Sequence, residues 1–250
     1  MTRFKLIIEY KGTDYCGWQT QGQGEKTIQE TVENAIFGFS NQRVKLTGAG
    51  RTDSGVHARG QVAHFDFDNE RHQMDGYALA KAINAFLKEE TIAVVWAEPV
   101  DDQFHARFGA KQKLYTYSIL NRAAKPAIDA DLVWHIGKPL DVAAMQIAAN
   151  YLIGTHDFTS FRAAMCQAKS PIKTIDDLKV EQSGDYIFIH AFGQSFLHHM
   201  VRNIAGTLVL VGEGKWSPED VGKALETKKR EAAGITAPPQ GLSLIYIEYL

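Results

Sequence analysis

The segment Gly48-Ala49-Gly50-Arg51-Thr52-Asp53-Ser54-Gly55-Val56-His57-Ala58 sets a carboxylate, an arginine and three glycines between two apolar, strand-like runs. Glycine lets a backbone take positive φ and lets a ligand approach closely, and an acid and a base at short range each hold the other ionised. Asp53 is thereby the candidate reacting group. A glycine-rich turn also serves simply to satisfy local amides, and spacing alone leaves both uses open. Two other uses are excluded. Gly48-x-Gly50 lacks the third glycine of a dinucleotide fingerprint, and the chain has no Gly-x-x-x-x-Gly-Lys-Ser/Thr phosphate loop.

A second charged feature is Arg202 in Met200-Val201-Arg202-Asn203-Ile204-Ala205-Gly206. At 100° per residue, Ser195, His198 and Arg202 share a polar stripe on a helix from Ser195 to Val211, nearly opposite Leu197, Ile204, Leu208 and Val211. A guanidinium buried on such a helix needs a carboxylate, and Asp53 is the expected partner. An arginine reaching solvent along a half-exposed helix satisfies the periodicity equally well. His198 and His199 lack a His-Glu-x-x-His pattern, so packing or RNA contact is expected of them rather than metal binding. Cys16 and Cys166 stand far apart with no Cys-x-x-Cys, which gives neither a disulfide framework nor a zinc site.

The elements that must position these residues fall into two halves of the same order. Phe4 to Tyr10 reads as a strand, Thr27 to Phe39 as a helix, Val44 to Thr47 and Gln61 to Phe67 as strands, Asp75 to Leu87 as a helix and Ile92 to Ala97 as a strand. Thr27 and Glu30 have the spacing of a capping box. In the second half Lys113 to Leu120 reads as a strand, Asp141 to Leu152 as a helix, Thr174 to Glu181 and Asp185 to Phe192 as strands, Ser195 to Val211 as a helix and Leu242 to Tyr249 as a strand. An extra helix starts at Ser217-Pro218. The hairpin turn is Gln182-Ser183-Gly184-Asp185. Twice β-α-β-β-α-β predicts an α+β fold of two ferredoxin-like halves, with mixed or antiparallel sheets side by side and a cleft between the halves. The expected domains are residues 1–103, carrying the Asp53 loop, and 104–250, carrying the tyrosine, arginine and leucine of the pocket.

With 250 residues and 45% hydrophobic content the chain can bury a full core. No apolar run approaches the ~20 residues of a membrane span. Met1-Thr2-Arg3-Phe4-Lys5 leads straight into a strand-like run without signal-peptide features, so a cytoplasmic protein is expected. A net charge of −2 argues weakly against a nucleic-acid partner. That average hides clusters of Arg and Lys in the motif segments.

Gly-Arg-Thr-Asp-Ser-Gly-Val-His-Ala at 50–58, Phe-His-Ala-Arg-Phe at 104–108, Tyr-Thr-Tyr at 115–117, His-Asp-Phe-Thr-Ser-Phe at 156–161, Phe-Leu-His-His-Met-Val-Arg-Asn-Ile at 196–204 and Gly-Leu at 241–242 together resemble the TruA family of tRNA pseudouridine synthases. The likeness runs in order from Ile8-Glu9-Tyr10 to the last strand. It implies the pseudouridine synthase fold and isomerisation of uridine to pseudouridine at positions 38, 39 and 40 of the tRNA anticodon stem-loop, by a homodimer with no cofactor and no metal. The chemistry agrees, since moving uracil from N1 to C5 adds no atom and changes no overall oxidation state.

By the same resemblance Asp53 is the catalytic nucleophile, paired with Arg202. Tyr115 stacks on uracil and lies near enough to receive the C5 proton, although a free phenol, with a pKa near ~10, is a poor acceptor at neutral pH. Leu242 walls the pocket. Arg51 fills the helix when the uridine flips or steadies its phosphate, and His57, Arg107 and Arg162 join the substrate-binding set, with Lys113 and the 156–161 loop as further backbone contacts. Two rivals remain: a non-catalytic RNA-binding module of the same fold, and a hydrolase using Asp53. A lone carboxylate without a second acid disfavours the ordinary glycosidase route.

Overall fold

The computed structural model describes residues 1–20, 22, 24–164, 166 and 168–249. The chain divides into two compact units, Met1–Lys111 with Leu244–Leu250, and Gln112–Ser243. The expected boundary after residue 103 therefore falls later. The last strand begins in the second unit and continues in the first, instead of belonging wholly to the second half.

In the first unit β1 (Thr2–Tyr10), α1 (Ile28–Ser40), β2 (Thr47–Gly48), β3 (His57–Phe67), α2 (Gly76–Phe86) and β4 (Ile92–Val100) follow the expected order. The sheet runs β4-β1-β3-β11, where β11 is Leu242–Glu248, and β2 also pairs with β3. Alternation along β1 sends Phe4, Leu6 and Ile8 inward, and Phe4 and Leu6 stand opposite Phe65 and Ala63 of β3. Ile28, Val32 and Ile36 of α1 and Leu79 and Ile83 of α2 complete a core from which water is excluded. Thr27 caps α1 by accepting from the Glu30 amide, and Asp75 caps α2 by accepting from the Ala78 amide. The strand expected over Val44–Thr47 becomes Thr47–Gly48, because of the expected span only Thr47 pairs with β3, opposite His64, and the pairing runs on through Gly48 opposite Ala63.

The second unit contains β5 (Gln112–Asn121), β6 (Trp134–Ile136), α3 (Val142–Asn150), β7 (Gly154–Asp157), β8 (Ile172–Ile175), β9 (Asp177–Ser183), β10 (Tyr186–Gly193), α4 (Met200–Gly212) and α5 (Pro218–Thr227). Its strands run β5-β10-β9, antiparallel, with β6 parallel to β5. Mixed strand directions and packed helices make the fold α+β. The single strand expected over Thr174–Glu181 is two. β8 pairs with β7 in a separate ribbon, and the chain changes partner at Asp176, whose amide donates to Phe192 O. The helix expected from Ser195 begins only at Met200. His199 holds φ +62° as its N-cap, and a tight turn closed by the Met200 amide on Leu197 O precedes it. Ser195 and His198 therefore share no helical stripe with Arg202. Almost all of α4 is buried, and Arg202 is the half-exposed exception in its first turn.

Candidate active site

Asp53 sits in a loop whose backbone is pinned on both sides of it. Its carbonyl accepts the Val56 amide at 3.1 Å, closing a turn with Gly55 at φ +78°. One residue earlier, Thr52 is buried, its Oγ1 lies 2.8 Å from the Tyr10 hydroxyl and its carbonyl accepts the Trp18 amide. One residue later, Ser54 Oγ donates to Tyr15 O at 3.1 Å, and the Gly55 amide points to the same oxygen at 3.4 Å. The Asp53 side chain is half-buried on this fixed frame, and Arg51 is exposed beside it. Gln61 Nε2 reaches back to Gly50 O at 3.1 Å.

A segment the sequence reading did not single out makes the cradle: Gly12-Thr13-Asp14-Tyr15-Cys16-Gly17-Trp18. Two of its glycines are required by close approach. A Cβ at Gly12 would lie 2.0 Å from Val56 O, and one at Gly17, already at φ +85°, would lie 2.7 Å from Thr52 O. A pair of glycines five apart among aromatics, directly after a strand, was the available signal. Tyr15 is anchored at its far end, where its hydroxyl donates to Glu90 Oε2 at 2.5 Å and Lys26 bridges to Glu90 at 2.7 Å. Burial, with the Glu90 hydrogen bond, pushes the Tyr15 phenol up to about 12. Burial likewise raises Tyr10 above the usual phenol range, so both stay neutral hydrogen-bonding posts.

His57 is 4% exposed, and its Nδ1 accepts the Gly12 amide at 2.9 Å. That bond fixes Nδ1 as the unprotonated nitrogen and builds the ring into the cradle, in place of the RNA-facing position expected for it. Farther along β3, His64 Nδ1 accepts the Ala106 amide at 3.1 Å and helps seat the Phe104–Phe108 turn. Arg3 grips the same turn through Phe104 O and Asp102 O while forking onto Asp66. Arg107 projects outward at its tip, its guanidinium 5.9 Å from the Phe108 ring.

In the second unit Tyr115, Arg202 and Leu242 gather around Tyr117. Tyr115 and Tyr117 lie two apart on β5 and so share a face. Tyr115 is 8% exposed and meets Phe196 edge-on at 5.3 Å. Tyr117 is fully buried and donates to Pro238 O at 2.8 Å. Burial drives its phenol far up, and the positive charge of Arg202 opposes that rise. A one-turn helix, Pro239–Gly241, leads into Leu242, which is buried; a Cβ at Gly241 would strike the Tyr117 ring at 2.6 Å. Arg202 Nε donates to Ala237 O at 2.8 Å, which fixes the orientation of the guanidinium. Arg162 is half-buried at the end of the 158–161 turn. Lys113, expected to touch RNA, is buried at 8% exposure with its Nζ on Gln194 O.

The first unit thus presents a carboxylate on a rigid loop beside an exposed arginine. The second presents an aromatic ring, an apolar wall and an arginine held by its Nε. A family model described as tRNA pseudouridine synthase matches residues 6–109 and 148–250. Among relatives, tRNA pseudouridine synthase A of Wolbachia pipientis subsp. Culex pipiens is 49% identical over 247 residues, 99% of this chain and 100% of that one. The protein of the same description from Rhodospirillum rubrum is 48% identical over 249 residues, 100% of this chain and 88% of that one. That from Bartonella bacilliformis is 47% identical over 251 residues, covering 100% of both chains.

Proposed function

Since the chain belongs to the tRNA pseudouridine synthase family and isomerises uridine to pseudouridine in tRNA, we propose that it acts at positions 38, 39 and 40 of the anticodon stem-loop with Asp53 as nucleophile. In the reaction the bond from N1 of uracil to C1′ breaks and one from C5 to C1′ forms. N1 gains a proton and C5 loses one, so atoms and electrons balance without a donor or an oxidant. The Asp53 carboxylate acts at C1′. Arg202 is its proposed ion-pair partner. Tyr115 holds the detached uracil by stacking while the ring turns, and Leu242 excludes water from it. Arg51 steadies the flipped nucleotide, whose extrusion costs a few kcal/mol. Arg107 and Arg162 meet the phosphate backbone of the stem. The protein works in the cytoplasm as a homodimer, with tRNA as its partner and no cofactor.

The observation that carries this reading is the fixation of Asp53 from both neighbours. Thr52 and Ser54 are tied to Trp18 and Tyr15, so the carboxylate is presented without reorganisation at the moment of reaction.

The test is release of tritium from C5 of uridine in an anticodon stem-loop, with the RNA recovered uncut. Asp53→Ala is expected to stop release by at least about a thousandfold while tRNA affinity stays within a few-fold. Turnover retained by that variant removes Asp53 from the mechanism, strand cleavage would indicate a hydrolase, and binding without release by the parent would indicate an RNA-binding module.

A further inference from the structure

Helix α4 is crossed by the segment Ala233–Pro238, which descends the helix one contact at a time. The Gly234 amide donates to Thr207 Oγ1 at 2.9 Å. Ile235 O lies so close over Gly206 that a Cβ there would sit 1.9 Å from it. Thr236 Oγ1 donates to Asn203 Oδ1 at 2.6 Å. Ala237 then exchanges two bonds with Arg202: its amide donates to Arg202 O at 3.1 Å, and its carbonyl accepts Arg202 Nε at 2.8 Å. The next residue takes the Tyr117 hydroxyl, and the chain passes through Gly241 to Leu242.

One side chain ties the start and the middle of this strap to the helix. Arg230 Nη1 donates to Gly234 O at 2.8 Å and to Ala233 O at 3.4 Å, and Nη2 donates to Asn203 Oδ1 at 3.0 Å and Thr236 Oγ1 at 3.1 Å. Asn203 is fully buried, and its amide nitrogen donates onward to Phe161 O at 2.8 Å. A planar guanidinium meeting four oxygens in fixed directions is a fork that lysine cannot copy. Arg230 and Thr236 are half-buried around the fully buried Asn203 amide, and the shared bonds hold all three side chains in one arrangement.

We infer that Arg230, with Asn203 and Thr236, is a positioning clamp. It sets the Ala233–Pro238 strap so that Ala237 O fixes the Nε of Arg202 and Leu242 arrives at its place in the pocket. It touches neither substrate nor reacting atoms. The inference rests on the proposed role of Arg202, and a misplacement of about 1 Å in such a group costs about a hundredfold in rate.

The test pairs tritium-release kinetics on tRNA with the side-chain ¹⁵Nε–¹H signal of Arg202, whose hydrogen exchange reports the Ala237 bond directly. Arg230→Met and Thr236→Val should speed that exchange and lower kcat by about 10- to 100-fold with KM within about threefold. Thr236→Ser, which keeps the hydroxyl, should restore both to within about threefold of the parent. Where Arg230→Met fails to fold, the Thr236 pair carries the result. Undiminished protection of the Arg202 Nε–H in Thr236→Val overturns the clamp whatever the rate does. Lost protection with unchanged kcat also overturns it, and Arg202→Gln then tells where the fault lies: full activity there means that Arg202 itself has no part in the reaction. A rise in KM alone would make the strap a binding element and would equally overturn the inference.

Discussion

At the scale of single residues, charge on the functional loop is separated from charge that only holds the fold. His64 shows the second kind. Burial first, then the nearby charge of Arg3, lowers its pKa to about 4, and the Ala106 amide donating to Nδ1 fits a neutral ring. A histidine whose pKa is lower folded than unfolded binds fewer protons in the native state, so stability is complete above about 6.5 and is lost as pH falls from there towards about 4. Urea unfolding is expected to show about 1–2 kcal/mol lost from this group between pH 7 and pH 5. His64→Gln, whose amide oxygen can still accept from Ala106, should flatten that slope. An unchanged slope would exclude His64 as its source. Asp66 and Glu98, held low by Arg3 and Lys5, lose their contribution only under more acid conditions and do not confuse this window. The glycine-rich motif around Asp53 was the most legible feature of the sequence, and the structure places Asp53 half-buried on a loop tied down on both sides. His57 and Lys113 were misplaced because composition and motif tell that a side chain is polar and say nothing of whether a backbone amide or carbonyl awaits it in the interior.

At the scale of elements, the cradle Gly12–Trp18 makes the sharpest prediction. Gly17→Ala places a methyl group against Thr52 O on a backbone at φ +85°. Gly184→Ala supplies the control, because Gly184 also has positive φ, at +59°, but nothing stands within 4 Å of its Cβ position. Both substitutions should cost about 1 kcal/mol in backbone strain. Only Gly17→Ala should also displace Thr52 and lower kcat at least about tenfold, read by tritium release at saturating tRNA. Equal kcat in the two variants would mean that the cradle does not set the loop. Periodicity recovered the elements whose burial is one-sided, such as β1 and α1. It failed where the chain changes course without changing hydrophobic pattern. Between Ile175 and Asp177 the alternation continues while the hydrogen-bond partner switches from β7 to β10. Before Met200, Leu197 imitates a helical position although His199 is left-handed. The cradle itself was invisible to periodicity because its order comes from close backbone approach, which glycine spacing records only faintly.

At the scale of the whole molecule, 27 Lys and Arg are set against 29 Asp and Glu, so average charge gives no attraction for a polyanion. Binding of tRNA must come from local groups, and the structure sorts the cations accordingly. Arg3 and Lys5 are committed to Asp66 and Glu98. Arg122 is engaged by Asp185, and Lys113 is interior. Arg59, Arg107 and Lys111 in the first unit, and Lys169 in the second, are exposed. If about four of these meet phosphates, affinity for an anticodon stem-loop should fall about a hundredfold between about 50 and about 200 mM salt, through release of condensed counterions. Replacing one such residue, as in Arg107→Gln, should weaken binding of every stem-loop sequence alike and reduce the slope of log affinity against log salt by about 1. Arg122→Gln, removing a cation already neutralised by Asp185, should leave that slope unchanged. A flat salt dependence in the parent, or a slope that responds equally to both substitutions, would show that recognition does not run through these phosphate contacts.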